Sequence, residues 1–176
     1  MFYKKNRVIA MIYSALLIIL LVFVDQFSKF LAVAHLKGQP DLIIINGVFQ
    51  LHYLQNTGAA FSMLEGKQTL FAILTPIMLI IMAYVLLKMP REKKYTALNY
   101  VIIFIFAGAV GNYIDRILNS YVVDFLYFSL IDFPVFNIAD CYVTVAIIVF
   151  VLLILFYYKD EDFEEIKQSL AIKKNG

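Results

Sequence analysis

The chain has 176 residues, of which 62% are hydrophobic and 16% charged, with a formal net charge of +2. A soluble fold of this length cannot enclose so large an apolar share, so an integral membrane protein is the natural class. The small net charge argues against a nucleic-acid partner, and a single cysteine, Cys141, excludes an internal disulfide or a multi-cysteine metal site.

Four apolar segments, at about 8–24, 69–87, 96–114 and 138–158, approach the roughly 20 residues that a helix needs to cross a bilayer. The second contains Pro76, which a membrane helix tolerates better than a soluble one. The first also resembles a secretory leader, with Lys4, Lys5 and Arg7 ahead of it and Ala32-Val33-Ala34 as a cleavage-like triplet. Its apolar run is longer than a leader needs, and Asp25 and Lys29 intervene, so a retained span is expected.

Charge sets the orientation. Most of the 15 basic residues fall in the N-terminus (Lys4, Lys5, Arg7), the loop after the second span (Lys88, Arg91, Lys93, Lys94) and the tail (Lys159, Lys167, Lys173, Lys174). The positive-inside rule then puts both termini in the cytoplasm and the loops 25–67 and 115–137 outside. The acidic run from Asp160 to Glu165 reads as a solvated helix end.

The first outer loop carries a hairpin signal, Asn46-Gly47 between the runs Asp41 to Ile45 and Val48 to Leu54. In the second run Phe49, Leu51 and Tyr53 alternate with Gln50 and His52, giving one apolar and one polar face. Such a sheet, spanning about 40–63, is expected to lie against the bilayer. The chain thus reads as one integral-membrane domain over 1–176: an all-α membrane protein with four transmembrane helices and a small extracytoplasmic β-hairpin or sheet.

The residues with chemical potential gather at the outer edge. Asp25 and Lys29, one turn apart, suit an interfacial ion pair closing the first helix, or contact with headgroups or the site. Asn56 and Gly58 suit loop punctuation, or an amide presented to a substrate backbone where glycine permits close approach. On the third span Gly108, Asn112 and Arg116 share a face, with Gly111 and Asp115 on a neighbouring stripe. The small residues suit close helix packing, including Ala107-x-x-x-Gly111. That reading leaves Asn112, a turn deeper than the charged end, unexplained.

Asn137 and Asp140 equally suit a helix cap and a catalytic acid. Asp124 tips the balance, because it interrupts the strand-like run Tyr121 to Phe125, which has no turn chemistry to require an acid. Two carboxylates brought together and partly desolvated cannot both ionise, so they share a proton. One then activates water while the other protonates a leaving amine. His35 and His52 show no zinc-binding spacing, no GxSxG element is present, and Cys141 has no histidine near it in sequence. The rival readings are a membrane transporter or proton/ion-binding protein using the same acids as a relay, and a structural membrane adaptor whose hairpin binds a partner.

Five motifs occur in order: Asp25-Gln-x-x-Lys29, Asn56-x-Gly-Ala-Ala-Phe61, Gly111-Asn-x-x-Asp-Arg116, Val122-Val-Asp-Phe125 and Phe136-Asn-x-Ala-Asp140. Together they closely resemble the bacterial lipoprotein signal peptidases, also called signal peptidase II. The resemblance implies an aspartic endopeptidase of the bacterial cytoplasmic membrane, acting on its outer side. It would cut the signal peptide from prolipoproteins just before a diacylglyceryl-modified cysteine. Asp124 and Asp140 would be the catalytic pair. Asn56, Gly58, Asn112, Arg116 and Asn137 would line or support the substrate site, with Asp115, Asp25 and Lys29 holding its geometry. The hairpin would be the family's β-cradle. The resemblance also implies contact with membrane lipids, sensitivity to globomycin-type inhibitors, and neither metal nor organic cofactor. Cys141 stands where many relatives have serine.

Overall fold

The computed structural model describes residues 2–58 and 68–171. Helix α1 spans Phe2–Leu36, α2 Gln68–Lys88, α3 Thr96–Asn119, α4 Ile138–Phe156 and α5 Asp160–Leu170. Strands β1 (Leu42–Ile45), β2 (Phe49–Asn56) and β3 (Val122–Tyr127) form one antiparallel sheet in that order.

Helix α3 is the central post, packed against α1, α2 and α4. Its small residues set how close the neighbours come. A Cβ on Gly108 would lie 2.6 Å from the Ala139 carbonyl oxygen of α4, and one on Gly111 would lie 2.4 Å from Asp25 Oδ2 of α1. Gly108 therefore admits α4 closely and Gly111 admits the Asp25 side chain of α1. Three stretches are long and apolar enough to cross a membrane: Arg7–Leu36, Lys93–Asn119 and Ile138–Phe156. A shorter apolar helical stretch covers Ala72–Lys88. Leu16, Ile19, Leu20 and Phe23 on α1 and Ile148, Leu152 and Leu155 on α4 are exposed. Apolar rows of that length suit hydrocarbon rather than water.

Two of the helices run past the apolar segments that announce them. The first segment ends at residue 24, yet α1 continues to Leu36 without a break. Asp25 and Lys29 do not close the helix, because each finds partners on neighbouring helices and so remains inside the packing. The cleavage-like triplet 32–34 lies within this helix, with Ala32 buried. Similarly α3 extends to Asn119, so that Asp115 and Arg116 sit on the helix itself. It stops at Ser120, which turns left-handed (φ 64°) and returns its N–H to the Arg116 carbonyl.

The hairpin forms at Asn46-Gly47, where Gly47 takes φ 69° and Val48 N–H reaches the Ile45 carbonyl at 3.0 Å. A third strand, drawn from the other outer loop, completes the sheet: β3 pairs with β2 so that Leu54 faces Asp124 and Asn56 faces Val122. The apolar face of β2 and β3 does not face outward. Leu51, Tyr53, Val123 and Phe125 pack on Ala32 and Leu36 at the end of α1. By contrast Leu42 to Ile45 of β1 are all more than half exposed, leaving an apolar edge.

A second core closes the opposite end of the bundle. Leu86, Met89, Tyr95, Leu98, Ile102, Ile103 and Tyr158 pack together there. The acidic run 160–165 opens helix α5, which turns Ile166 into this core and its carboxylates toward Lys94 and Tyr95.

Candidate active site

The backbone delivers Asp124 and Asp140 to one place by a short bridge. Phe136 and Leu126 exchange hydrogen bonds of 3.0 and 2.8 Å, which folds the segment after β3 back on the strand. The next residue, Asn137, therefore lands beside Asp124 at the start of α4.

Asn137 caps helix α4 and also contacts Asp124. Its Oδ1 accepts the Asp140 N–H at 3.0 Å, and its own N–H donates to Asp140 Oδ2 at 3.1 Å, a complete capping box. At the same time its Nδ2 donates to Asp124 Oδ1 at 2.6 Å. The cap and the acid pair are thus a single construction. Asn112 ties the same group to α3: its Nδ2 donates to Asp140 Oδ1 at 2.8 Å and its Oδ1 accepts from Asn137 Nδ2 at 3.1 Å. That explains why an amide lies a turn below the charged end of α3.

Asp124 is 1% exposed and receives a second amide, Asn56 Nδ2, at 2.8 Å. Burial, reinforced by the charge of Asp140, pushes its carboxyl up to about 7 despite these donors. Asn56 is itself held, since its Oδ1 accepts the Gly58 N–H at 2.9 Å. Arg116 reaches across from α3, with Nη2 near the Gly58 carbonyl at 3.4 Å and Nη1 near its own Asn112 carbonyl at 3.3 Å. Residues 59–61 of the motif that begins at Asn56 lie outside the described residues. A cleft of about 370 Å³ on the polar face of the sheet, lined in part by Asp41, His52, Asn56 and Tyr127, leads to Asn56.

Behind the pair lies a buried ionic layer. Lys29, 3% exposed, is held by Asp25 Oδ2 at 2.9 Å, Asp115 Oδ2 at 3.1 Å and Asn112 Oδ1 at 2.9 Å. Asp25 accepts the Ala139 N–H of α4 at 2.9 Å, and Asp115 accepts the Val123 N–H of β3 at 3.0 Å. One lysine thus fastens α1, α3, α4 and β3 around the acid pair. All ten residues singled out in the sequence meet in this network.

Gln26 also belongs to it. Its Nε2 lies within 3.1 Å of Asp25 Oδ2, the Gly111 carbonyl and Asp115 Oδ1. The amide stands inside the Asp25-Gln-x-x-Lys29 motif, but a glutamine one residue from an ion pair has no distinguishing spacing. Asp41 was missed as well; it accepts from His52 Nδ1 and Gln50 Nε2, both at 2.7 Å, beside the cleft. Asp132, by contrast, stays at the surface, bonded to Tyr127 Oη at 2.6 Å.

Comparison with known proteins places the chain in a family. A sequence model of the family described as Signal peptidase (SPase) II matches residues 17–156. Curated relatives named lipoprotein signal peptidase, from Streptococcus pyogenes serotypes M5 (strain Manfredo) and M18 (strain MGAS8232), are each 38% identical over 146 residues. That match covers 83% of this chain and 93% of each relative. A bacterial membrane enzyme solved by the in meso method at 2.3 Å superposes with a TM-score of 0.71 at 30% identity, covering 93% of this chain and 94% of that one. A second, solved by the same method at 1.9 Å, gives the same score at 34% identity over 83% of this chain and 94% of its own. With a family match across most of its length and relatives at this identity, the chain belongs to the signal peptidase II family.

Proposed function

We propose that this protein is an aspartic endopeptidase that removes the signal peptide from diacylglyceryl-modified prolipoproteins, cutting N-terminal to the lipidated cysteine. The reading rests chiefly on one observation: Asn137 holds Asp124 with its amide nitrogen while its amide oxygen and backbone N–H hold Asp140. Family membership supports the substrate class.

In the resting pair Asp124 carries the shared proton, since burial and the Asp140 charge both favour its neutral form. A water molecule between the carboxyls gives its proton to Asp140 as its oxygen bonds to the scissile carbonyl carbon. The carbon–nitrogen bond then breaks as Asp124 passes its proton to the leaving amine. The pair ends with one proton, now on Asp140, ready for exchange with water. Asn56, Gly58, Asn112 and Arg116 form the polar wall along which the substrate backbone lies, and Asn137 keeps the two acids in register. The same site is where a globomycin-type inhibitor would bind.

Topology supports an outward-facing site. The sheet packs on the C-terminal end of α1, and α3 delivers its C-terminal end to the same side. Helix α2 must therefore cross the bundle to reach the short connection that begins α3 at the opposite, basic end. Its 21 residues reach about 31 Å at 1.5 Å per residue. We read four spans in the bacterial cytoplasmic membrane, both termini cytoplasmic, and the aspartates at the outer boundary.

Cleavage of a purified diacylglyceryl prolipoprotein in detergent tests the assignment. Asp124→Asn and Asp140→Asn are each expected to abolish turnover while melting and membrane insertion stay intact. Residual turnover near the wild-type rate in either variant overturns the acid pair, and a relay or ion-binding protein would yield no cleavage from the wild type.

A further inference from the structure

The opposite, basic end of the bundle holds a polar cleft that has no part in the proposed hydrolysis. It opens between α1 and α3, with a volume of about 410 Å³, and Tyr13, Ser14, Leu17, Arg91, Asn99 and Tyr100 contribute to its walls. Arg91 is its distinctive group. The guanidinium donates from Nη2 to the Leu86 carbonyl at 2.7 Å and from Nη1 to Asn99 Oδ1 at 3.1 Å. Asn99 is fixed in turn by the Pro90 and Tyr95 carbonyls.

A guanidinium has five N–H donors, and these bonds use two of them. The buried Nε–H has no partner among the described residues. Among the described residues no carboxylate pairs with Arg91 or with Arg7, which donates to the neighbouring Leu87 carbonyl. Burial, and then the charge of Arg7, lowers the pKa of Arg91, the signature of a cation held without compensation. The surroundings complete the picture. Tyr13 and Tyr100 are exposed at the mouth, where amphipathic rings sit at headgroup level. Leu17 and Ile103 continue the cleft toward the middle of the spans.

We propose that this cleft binds the phosphate of an inner-leaflet phospholipid, with Arg91 as anchor and the acyl chains leaving past Tyr13 and Leu17. A basic recess between membrane helices on the cytoplasmic side is suited to such a headgroup, and a phosphate oxygen is the acceptor that a partly engaged guanidinium lacks. The proposal depends on the membrane-spanning orientation and not on the aspartate pair.

The test uses the full chain, purified and delipidated in detergent, with binding read by native mass spectrometry and by thermal melting. Phosphatidylglycerol, diacylglycerol and inorganic phosphate are the three probes. Phosphatidylglycerol is expected to bind and raise the melting temperature, whereas diacylglycerol and inorganic phosphate do neither to the same extent. Its affinity should fall about tenfold or more in Arg91→Gln, with Arg91→Lys keeping part of it. Ser14→Leu fills the cleft without touching the bonds of Arg91 and should lose the lipid equally, which preserves the test if Arg91→Gln fails to fold. Prolipoprotein cleavage in detergent should be unchanged in Ser14→Leu, so this site and the aspartate pair fail or stand separately. Equal binding of diacylglycerol, equal stabilisation by inorganic phosphate, or undiminished lipid binding in Ser14→Leu overturns the proposal.

Discussion

The two ends of the bundle are held by opposite means. At the sheet end, Asp25, Lys29, Asp115 and Asp124 are buried charges or potential charges, each with several partners. At the α5 end, Tyr95 stacks on Tyr158 with ring centroids 5.8 Å apart within an aliphatic core, and the ion pairs of Lys94 lie at its edge. Burying an ion is costly unless it is fully paired, so the sheet end is a poor way to gain stability. It is a good way to fix carboxylates in one arrangement. The comparison teaches that the polar end is built for geometry and the aromatic end for cohesion.

The sharpest way to break that contrast is to remove the one cation of the buried layer. Lys29→Met leaves Asp25 and Asp115 facing each other without compensation in a dry interior. A loss of about 3–5 kcal/mol is expected, read as a large fall in melting temperature in detergent, together with loss of cleavage. Adding Asp25→Asn removes one of the stranded charges and should recover part of the stability. A Lys29→Met variant that melts like the wild type would remove the case for an ionic core.

Next come the glycines that bring the helices together. In Gly108→Ala the new methyl meets a backbone carbonyl at 2.6 Å, and in Gly111→Ala it meets Asp25 Oδ2 at 2.4 Å. Neither neighbour can step aside, since the first is α4 itself and the second is held by Lys29, Gln26 and Ala139. Each variant should cost about 1–3 kcal/mol. Activity should fall further in Gly111→Ala, because the clash pushes directly on the layer beneath the acids. Thermal melting and turnover measured side by side separate the two effects.

How far the sequence speaks differs between the ends for the same physical reason. Apolar length announces α1, α3 and α4, and the Asn46-Gly47 turn announces the hairpin, because those signals are local. What hydropathy misplaces is where α1 and α3 stop. A charge looks like an exit from the membrane until its partner is known, and the partner of Lys29 on α3 lies far along the chain. The third strand is hidden likewise, since Tyr121 to Phe125 reads as strand-like but its pairing with β2 depends on the fold. Asn137 is ambiguous in sequence between cap and site because its amide both caps α4 and bonds Asp124. The acids of α5 look solvated, and only Ile166 turned inward and Glu165 on Tyr95 show that the helix is docked.

A gentler probe of the sheet end is proton linkage. Asp124 is raised from the ordinary 3.8 to about 7, so between those values the folded protein keeps a proton that the unfolded chain has released. Its contribution to stability is complete below the lower value and is lost as pH rises through about 7. The slope of melting temperature against pH in that window should flatten in Asp124→Asn. If Asp124 supplies the proton to the leaving amine, kcat/KM should also decline as pH passes about 7. A profile that is flat from pH 5 to about 9 would assign the proton elsewhere.

The smallest effect is expected where charges are most visible. Lys94 contacts Asp162 at 2.9 Å and Glu165 at 2.7 Å, the densest ion pairing at the α5 end. Lys94 and Glu165 face water, which already solvates them well, and holding long side chains in one geometry offsets much of the attraction. Burial of Tyr95, Tyr158 and Ile166 does the work of docking there. Lys94→Ala should therefore leave melting and cleavage at wild-type values, with any residual shift vanishing at high salt. Ile166→Asp should instead release α5, seen as rapid proteolysis after α4 with cleavage retained. If Lys94→Ala frees the helix as readily as Ile166→Asp, the α5 end is held by its charges, and the division of labour between the two ends fails.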